Sequence, residues 1–183
     1  MSTNRLTQTQ VDFLLKGIAG NRIGKDGKGF AHVEAWDIRR HLLRFFGFGG
    51  YDTDLLDAAL VSETSQMIRK KNRQGEEYGD PYEAWTVIYR VSVKLTVKTT
   101  DGTELGHWHG TATGDATNQP SRADAHDLAL KTADSQAFKR AAVNLGDQFG
   151  LSLYNDGNPA PVVLSSLAHP APQKTVEAVP DAA

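Results

Sequence analysis

The 183-residue chain contains no cysteine, which excludes a disulfide framework, a thiolate metal site and a cysteine nucleophile together. It also lacks any apolar run near the roughly 18 residues that a membrane span needs. Its polar start, Met1 to Gln10, has none of the apolar stretch of a signal peptide. Nor is there an excess of one charge. With 20 Lys+Arg against 22 Asp+Glu, a polyanion would have to be met by local clustering rather than by the field of the whole molecule. Proline is scarce before residue 155, and five of the seven prolines follow it. This 155–183 segment has no hydrophobic periodicity and is expected to be a disordered Pro/Ala-rich tail behind a charge-balanced domain of residues 1–154. Hydrophobic residues make up 39% and charged residues 23%, enough to build one ordinary core at this length. The expectation is a cytoplasmic protein, with no membrane among its partners.

Nucleotide-hydrolysis machinery is missing too. The segment Gly20-Asn21-Arg22-Ile23-Gly24-Lys25-Asp26 is glycine-rich and basic. A phosphate-binding P-loop, however, needs glycine where Ala19 stands and a hydroxyl residue where Asp26 stands. His107-Trp108-His109 sets two imidazoles on one side of a strand, a spacing zinc can use, with Asp115 in the loop beyond as a third ligand. That constellation supports a metal-dependent nuclease or phosphodiesterase as the alternative function. The competing reading is a sheet face that carries two polar rings, with no metal.

The patterns that are present describe α+β architecture. Spaced apolar residues over 7–20 read as an amphipathic helix, 21–29 as a loop, 30–33 as a short strand and 34–46 as a second helix. Residues 84–98 alternate Trp85, Val87, Tyr89, Val91, Val93, Leu95 and Val97 with a polar set that includes Arg90, Lys94 and Lys98. Such period-2 alternation marks a half-buried antiparallel strand. Asp101-Gly102 is a hairpin turn into a returning strand over 104–113, and 54–68 supplies a third strand. Ser121 caps a last helix over 121–149, whose apolar stripe is read as Leu130, Ala137, Phe138, Ala141, Ala142, Leu145 and Phe149. The sum is an antiparallel β-meander packed against helices, a β-β-β-α core.

Three basic groupings stand out. Arg69-Lys70-Lys71-Asn72-Arg73 is the densest, but Glu76 and Glu77 follow it, and it reads best as a solvated hairpin tip. Arg90, Lys94 and Lys98 share a strand face at a step of about 13 Å and form a potential phosphate track. Lys139-Arg140 lies off the apolar stripe of the last helix.

The run Ala137-Phe138-Lys139-Arg140-Ala141-Ala142-Val143-Asn144-Leu145-Gly146 resembles the signature helix of the Rad52/Rad22 family of single-strand annealing proteins. His32-Val33-Glu34-Ala35-Trp36 resembles that family's strand-to-helix passage. Phe46-Gly47-Phe48-Gly49-Gly50-Tyr51 resembles its aromatic-glycine turn, and Leu95 to Gly114 its hairpin and glycine-rich exit. The resemblance covers residues 6–154 in the family's order. It implies ring-shaped homo-oligomers that bind single-stranded DNA and anneal complementary strands without ATP, in recombination or repair, with no enzyme activity and no cofactor. It assigns DNA-backbone contacts to Lys139, Arg140 and Arg22, and matches Lys131 to another basic helix position. Val143 and Leu128 stand where the family often carries further basic residues. The implied partners are single-stranded DNA and further copies of the chain, with a single-strand binding protein or recombinase beside them. The short chain suits a bacterial or phage-infected host cell. A third reading, a ring with a purely structural role, would be marked by absence of DNA binding.

Overall fold

Three long antiparallel strands frame the molecule, in the order β3-β4-β5. The computed structural model describes residues 6–169. Ahead of the sheet come helix α1 (Gln8–Leu14), a two-stranded ribbon of β1 (Ile23–Lys25) and β2 (Ala31–Val33), and helix α2 (Ala35–Phe46). Then follow β3 (Tyr51–Lys71), β4 (Glu77–Lys98), β5 (Glu104–Gln119) and helix α3 (Arg122–Ala142). The α+β class and the β-meander expected from the sequence are both present.

Several boundaries differ from the sequence reading for identifiable reasons. The α1 helix opens on a reciprocal Thr7–Gln10 capping box and stops at Leu14, well before Gly20, and beyond it Gly17 packs closely against Pro159 and Pro161. Residues 23–25, expected in a loop, pair with β2 as β1. The β3 strand extends past 54–68 at both ends, to Tyr51–Lys71, and β4 starts at Glu77 rather than 84, whereas β5 pairs only with Trp85–Lys98. The hairpin beyond Trp85 is therefore a two-stranded arm. The alternation of β3 is interrupted by three register shifts, at Leu55/Asp57, Leu60/Ser62 and, in the arm, Ile68/Lys70, because each bulge moves the following side chains to the other face.

The α3 helix packs across the inner face of β4 and β5, and the contact is made of very small residues. Ala125, Ala129, Ala133, Ala137 and Ala141 recur every four positions and are fully buried. A four-residue repeat drifts slowly around a helix of 3.6 residues per turn, so the alanine stripe winds with the twist of the sheet beneath it. Opposite lie Gly110, Ala112, Gly114 and Ala116, the inward positions of β5. A Cβ at Gly110 would sit 2.0 Å from the Ala137 carbonyl oxygen, and one at Gly114 would sit 2.3 Å from the Ala133 nitrogen. Backbone rides on backbone here. The stripe read from the sequence needs one correction: Leu130 is exposed and the face is alanine, because so narrow a gap admits nothing larger. The helix also ends at Ala142, and Phe149 reaches the core through short 3₁₀ turns that follow.

The core continues to the other end of α3. Val91, Val93, Leu95 and Val97 from β4 meet Phe138, Ile38, Leu42, Phe46 and Phe149. After Leu153 the chain folds back on the domain. The Val162 and Val163 amides each donate to Oδ2 of buried Asp147 at 3.0 Å. Among the described residues, contacts with the domain thus continue past residue 155, and residues 170–183 of the expected tail lie outside the described residues.

Candidate functional site

One face of α3 and one face of α2 diverge to form an open groove of about 480 Å³. The α2 helix contributes Trp36 and Arg39, and α3 contributes Lys131, Ser135 and Lys139, one helical turn apart in succession. The α2 side is set by its amphipathic pattern. Ile38, His41, Leu42 and Phe46 turn to the core, so positions 36, 39 and 40 must face out. Trp36 is 63% exposed, and Arg40 lies over its ring at 5.2 Å. The Arg39 guanidinium stacks on the Phe138 ring at 4.2 Å and approaches Asp134 at 3.8 Å.

Lys139 is the distinctive member. Its stem packs into the groove while its ammonium makes no hydrogen bond or ion pair among the described residues. Burial lowers its pKa from the ordinary lysine value, opposed in part by the fields of Glu34 and Asp26. A half-buried cation without a counter-ion is a standing attraction for an anion. Glu34, the carboxylate at the rim of the groove, is hydrogen-bonded to His32 Nε2 at 3.0 Å.

The other residues singled out in the sequence go to different places. Lys131 lines the groove but reaches Asp127 at 2.6 Å, an exposed pair of small energetic consequence. Arg140, the immediate neighbour of Lys139, is about 100° around the helix. It leans over the free edge of β5, with Nη1 3.4 Å from the Thr111 carbonyl oxygen.

Arg22 is withdrawn from the surface. All three of its guanidinium nitrogens donate, to Asp37 Oδ2 at 2.7 Å, Gln148 Oε1 at 2.8 Å and the Gln148 carbonyl at 2.7 Å. Gln148 in turn donates to the Lys16 and Gly17 carbonyls, and Asp37 also receives Arg40. This polar clamp ties the start of β1, the first turn of α2 and the chain after α3 together. His41 is buried beside it and donates from Nδ1 to the Asp37 carbonyl, and burial pushes its pKa below the ordinary histidine value.

Arg90 and Lys94 lie on the opposite face of the sheet from α3. Lys94 pairs with Asp54 at 2.8 Å, Arg90 with Asp57 at 3.0 Å and Lys98 with Asp52. The Asp54 carboxylate raises the Lys94 pKa. The anticipated phosphate track is thus a cross-strand charge ladder that neutralises itself, and the acidic half comes from the neighbouring strand.

The metal alternative loses its third ligand. Asp115 is part of β5 rather than a loop. It stands opposite Ile88 while His109 stands opposite Lys94, a separation of about 20 Å along a strand. His107 is hydrogen-bonded to Glu104 at 2.7 Å. Among the described residues no three His, Asp or Glu side chains gather to hold an ion.

Sequence reasoning missed Trp36 as a groove residue and missed Arg39 altogether. A signal was there: the same 3.6-residue period that buries Ile38 and Leu42 turns an aromatic and two arginines outward. Residues 11–166 match the family described as Rad52/22 family double-strand break repair protein. The match takes in all the elements from α2 to α3, and the chain belongs to that family. Its work accordingly lies in DNA repair and recombination. No curated protein matches the chain. Among the described residues no helix is long and apolar enough to cross a membrane.

Proposed function

We propose that the protein binds single-stranded DNA along the α2/α3 groove and anneals complementary strands without a nucleotide cofactor. The observation that carries this is Lys139: a half-buried ammonium with no ion pair among the described residues, lining one groove with Arg39 and Lys131, in a molecule whose net charge is −2. Annealing requires a backbone held firmly and bases left free to pair, so cations that read no sequence are the appropriate chemistry. Arg140, over the β5 edge, extends the phosphate path, and Arg22 serves it from behind by holding α2 in place. Arg90 and Lys94 are already matched by aspartates and stand apart from this path.

One small groove is a weak site, and repetition in a closed homo-oligomer turns it into a strong one by avidity. The surface of β3 supports such assembly. Leu55, Leu56, Leu60, Val61 and Met67 are all exposed on an edge strand with unpaired backbone groups, a combination that isolated monomers avoid. A ring of identical contacts satisfies every edge.

The test is a fluorescent strand-annealing assay in EDTA and without nucleotide, alongside a salt titration of binding. The parent should anneal. Lys139→Gln should bind every sequence more weakly and lower the salt slope by about 0.7, the value for one phosphate contact on a single strand. A Lys139→Gln protein with parental affinity and slope would refute the groove assignment. Annealing that vanishes in EDTA would revive a metal-dependent reading.

A further inference from the structure

The α2/α3 groove has an aromatic wall as well as a charged one, and the cations alone give that wall no purpose. Trp36 is 63% exposed, at the first turn of a helix whose core-facing positions are taken by other residues. Arg40 covers the ring at 5.2 Å. Arg39 is drawn away onto Phe138 at 4.2 Å and steadied by Asp134, so it leaves the indole uncovered on the groove side. A rigid helix, a ring fixed by a cation, and an ammonium across the same groove form a stacking platform beside a phosphate holder. A large indole exposed on the wall of the groove offers a flat apolar surface on which another flat group can lie.

We propose that Trp36 stacks on a base of the single-stranded DNA whose backbone phosphate is held by Lys139. This rests on the groove reading above and adds to it a contact that recognises the base as an unpaired π-face, without regard to its identity. Duplex DNA offers such faces only at its ends. Trp36 therefore favours the unpaired strand over the annealed product, and the groove lets go of bases once they pair.

Intrinsic fluorescence tests it, with the full chain and a thymidine oligonucleotide of fixed length as probe. Trp85 and Trp108 lie on β4 and β5, so quenching on DNA binding should come from Trp36 and should disappear in Trp36→Phe. Trp36→Leu, which keeps an apolar side chain but no ring, should weaken binding about tenfold or more. Trp36→Phe should fall between it and the parent. The deciding probe is an abasic oligonucleotide of equal length. Parent and Trp36→Leu should bind it alike, because its phosphates are present and its bases are not.

Equal weakening of Trp36→Leu on abasic and base-bearing DNA would overturn the stacking role. So would a fall in oligomer mass, by light scattering, in Trp36→Leu, since the indole would then be packing against another copy. Normal affinity in Lys139→Gln, with quenching and the abasic difference intact, would leave Trp36 as the base platform and overturn only the placement of the phosphate.

Discussion

Substituting Gly110 with alanine tests whether backbone-on-backbone packing of α3 on β5 holds the domain together. The added Cβ would lie 2.0 Å from the Ala137 carbonyl oxygen and 2.6 Å from the Ala141 nitrogen. Both obstacles are main chain within a helix, so no rotamer change relieves them. To reach even a 3.0 Å contact, α3 must retreat by about 1 Å, and a gap of that size forfeits a quarter to a half of each dispersion contact it opens. The alanine stripe from Ala125 to Ala141 is fully buried, so the loss spreads along the helix. Overpacking typically costs about 1–3 kcal/mol, and this case should reach about 3 kcal/mol or more because the whole interface is lifted. For a domain of this size that is a fall in melting temperature of about 6–12 °C. Circular-dichroism melts at one fixed protein concentration would measure it, since any oligomer makes the midpoint concentration-dependent. Gly27→Ala is the control: nothing lies within 4 Å of its added Cβ, and it should be neutral or slightly stabilising. If Gly110→Ala melts within 2 °C of the parent, the interface is soft and the reasoning fails.

Four further outcomes are expected. Arg22→Ala should lower stability by about 3 kcal/mol, because it takes the donor from buried Asp37 Oδ2 and both donors from Gln148, with Arg40 left only on the other Asp37 oxygen, while leaving the salt slope of DNA binding unchanged. A lower slope with unchanged melting would make Arg22 a surface contact instead. Stability should fall as pH drops below about 6.5. His41 has a lowered pKa when folded, so in that window the unfolded chain binds the extra proton and folding is penalised. Urea midpoints of His41→Gln that keep the parental slope between pH 7 and 5.5 would show that another group is responsible. Ending the chain at Asn155 removes both amide donors to Asp147 Oδ2 and should cost about 1–3 kcal/mol, whereas ending it at His169 should not. Replacing Arg90 and Lys94 together with glutamine should leave DNA affinity within twofold, because each already has an aspartate partner.

The strand reading and the site reading came out differently because they depend on different ranges of the chain. The alternation of β4, the Asp101-Gly102 turn and the Ser121 cap are set by neighbours a few residues apart, and each is where local periodicity puts it. The small residues of α3 were visible as alanines, but their purpose was not. A stripe of alanine reads as weakly apolar until Gly110 and Gly114 are seen beneath it.

Charge was the least legible property. Arg90, Lys94 and Lys98 look like a track on one strand, and only the register with β3 puts Asp54 opposite Lys94 and brings Asp57 and Asp52 diagonally within reach of Arg90 and Lys98. That register runs through bulges, which no local pattern reports. Arg22 looked like a loop cation until the turn after α3 delivered Gln148 from 126 positions away.

By itself, the sequence determined the long elements, the order of the meander, the family, and the place of Lys139 off the apolar stripe of α3, all of which follow from short-range periodicity and motif spacing. Tertiary structure alone decided which cations remain unpaired and which aromatic stands beside them. Pairing and juxtaposition depend on where separate elements dock, and the docking of α2 beside α3 is fixed by a nonlocal core in which Phe138, Ile38 and Leu42 meet.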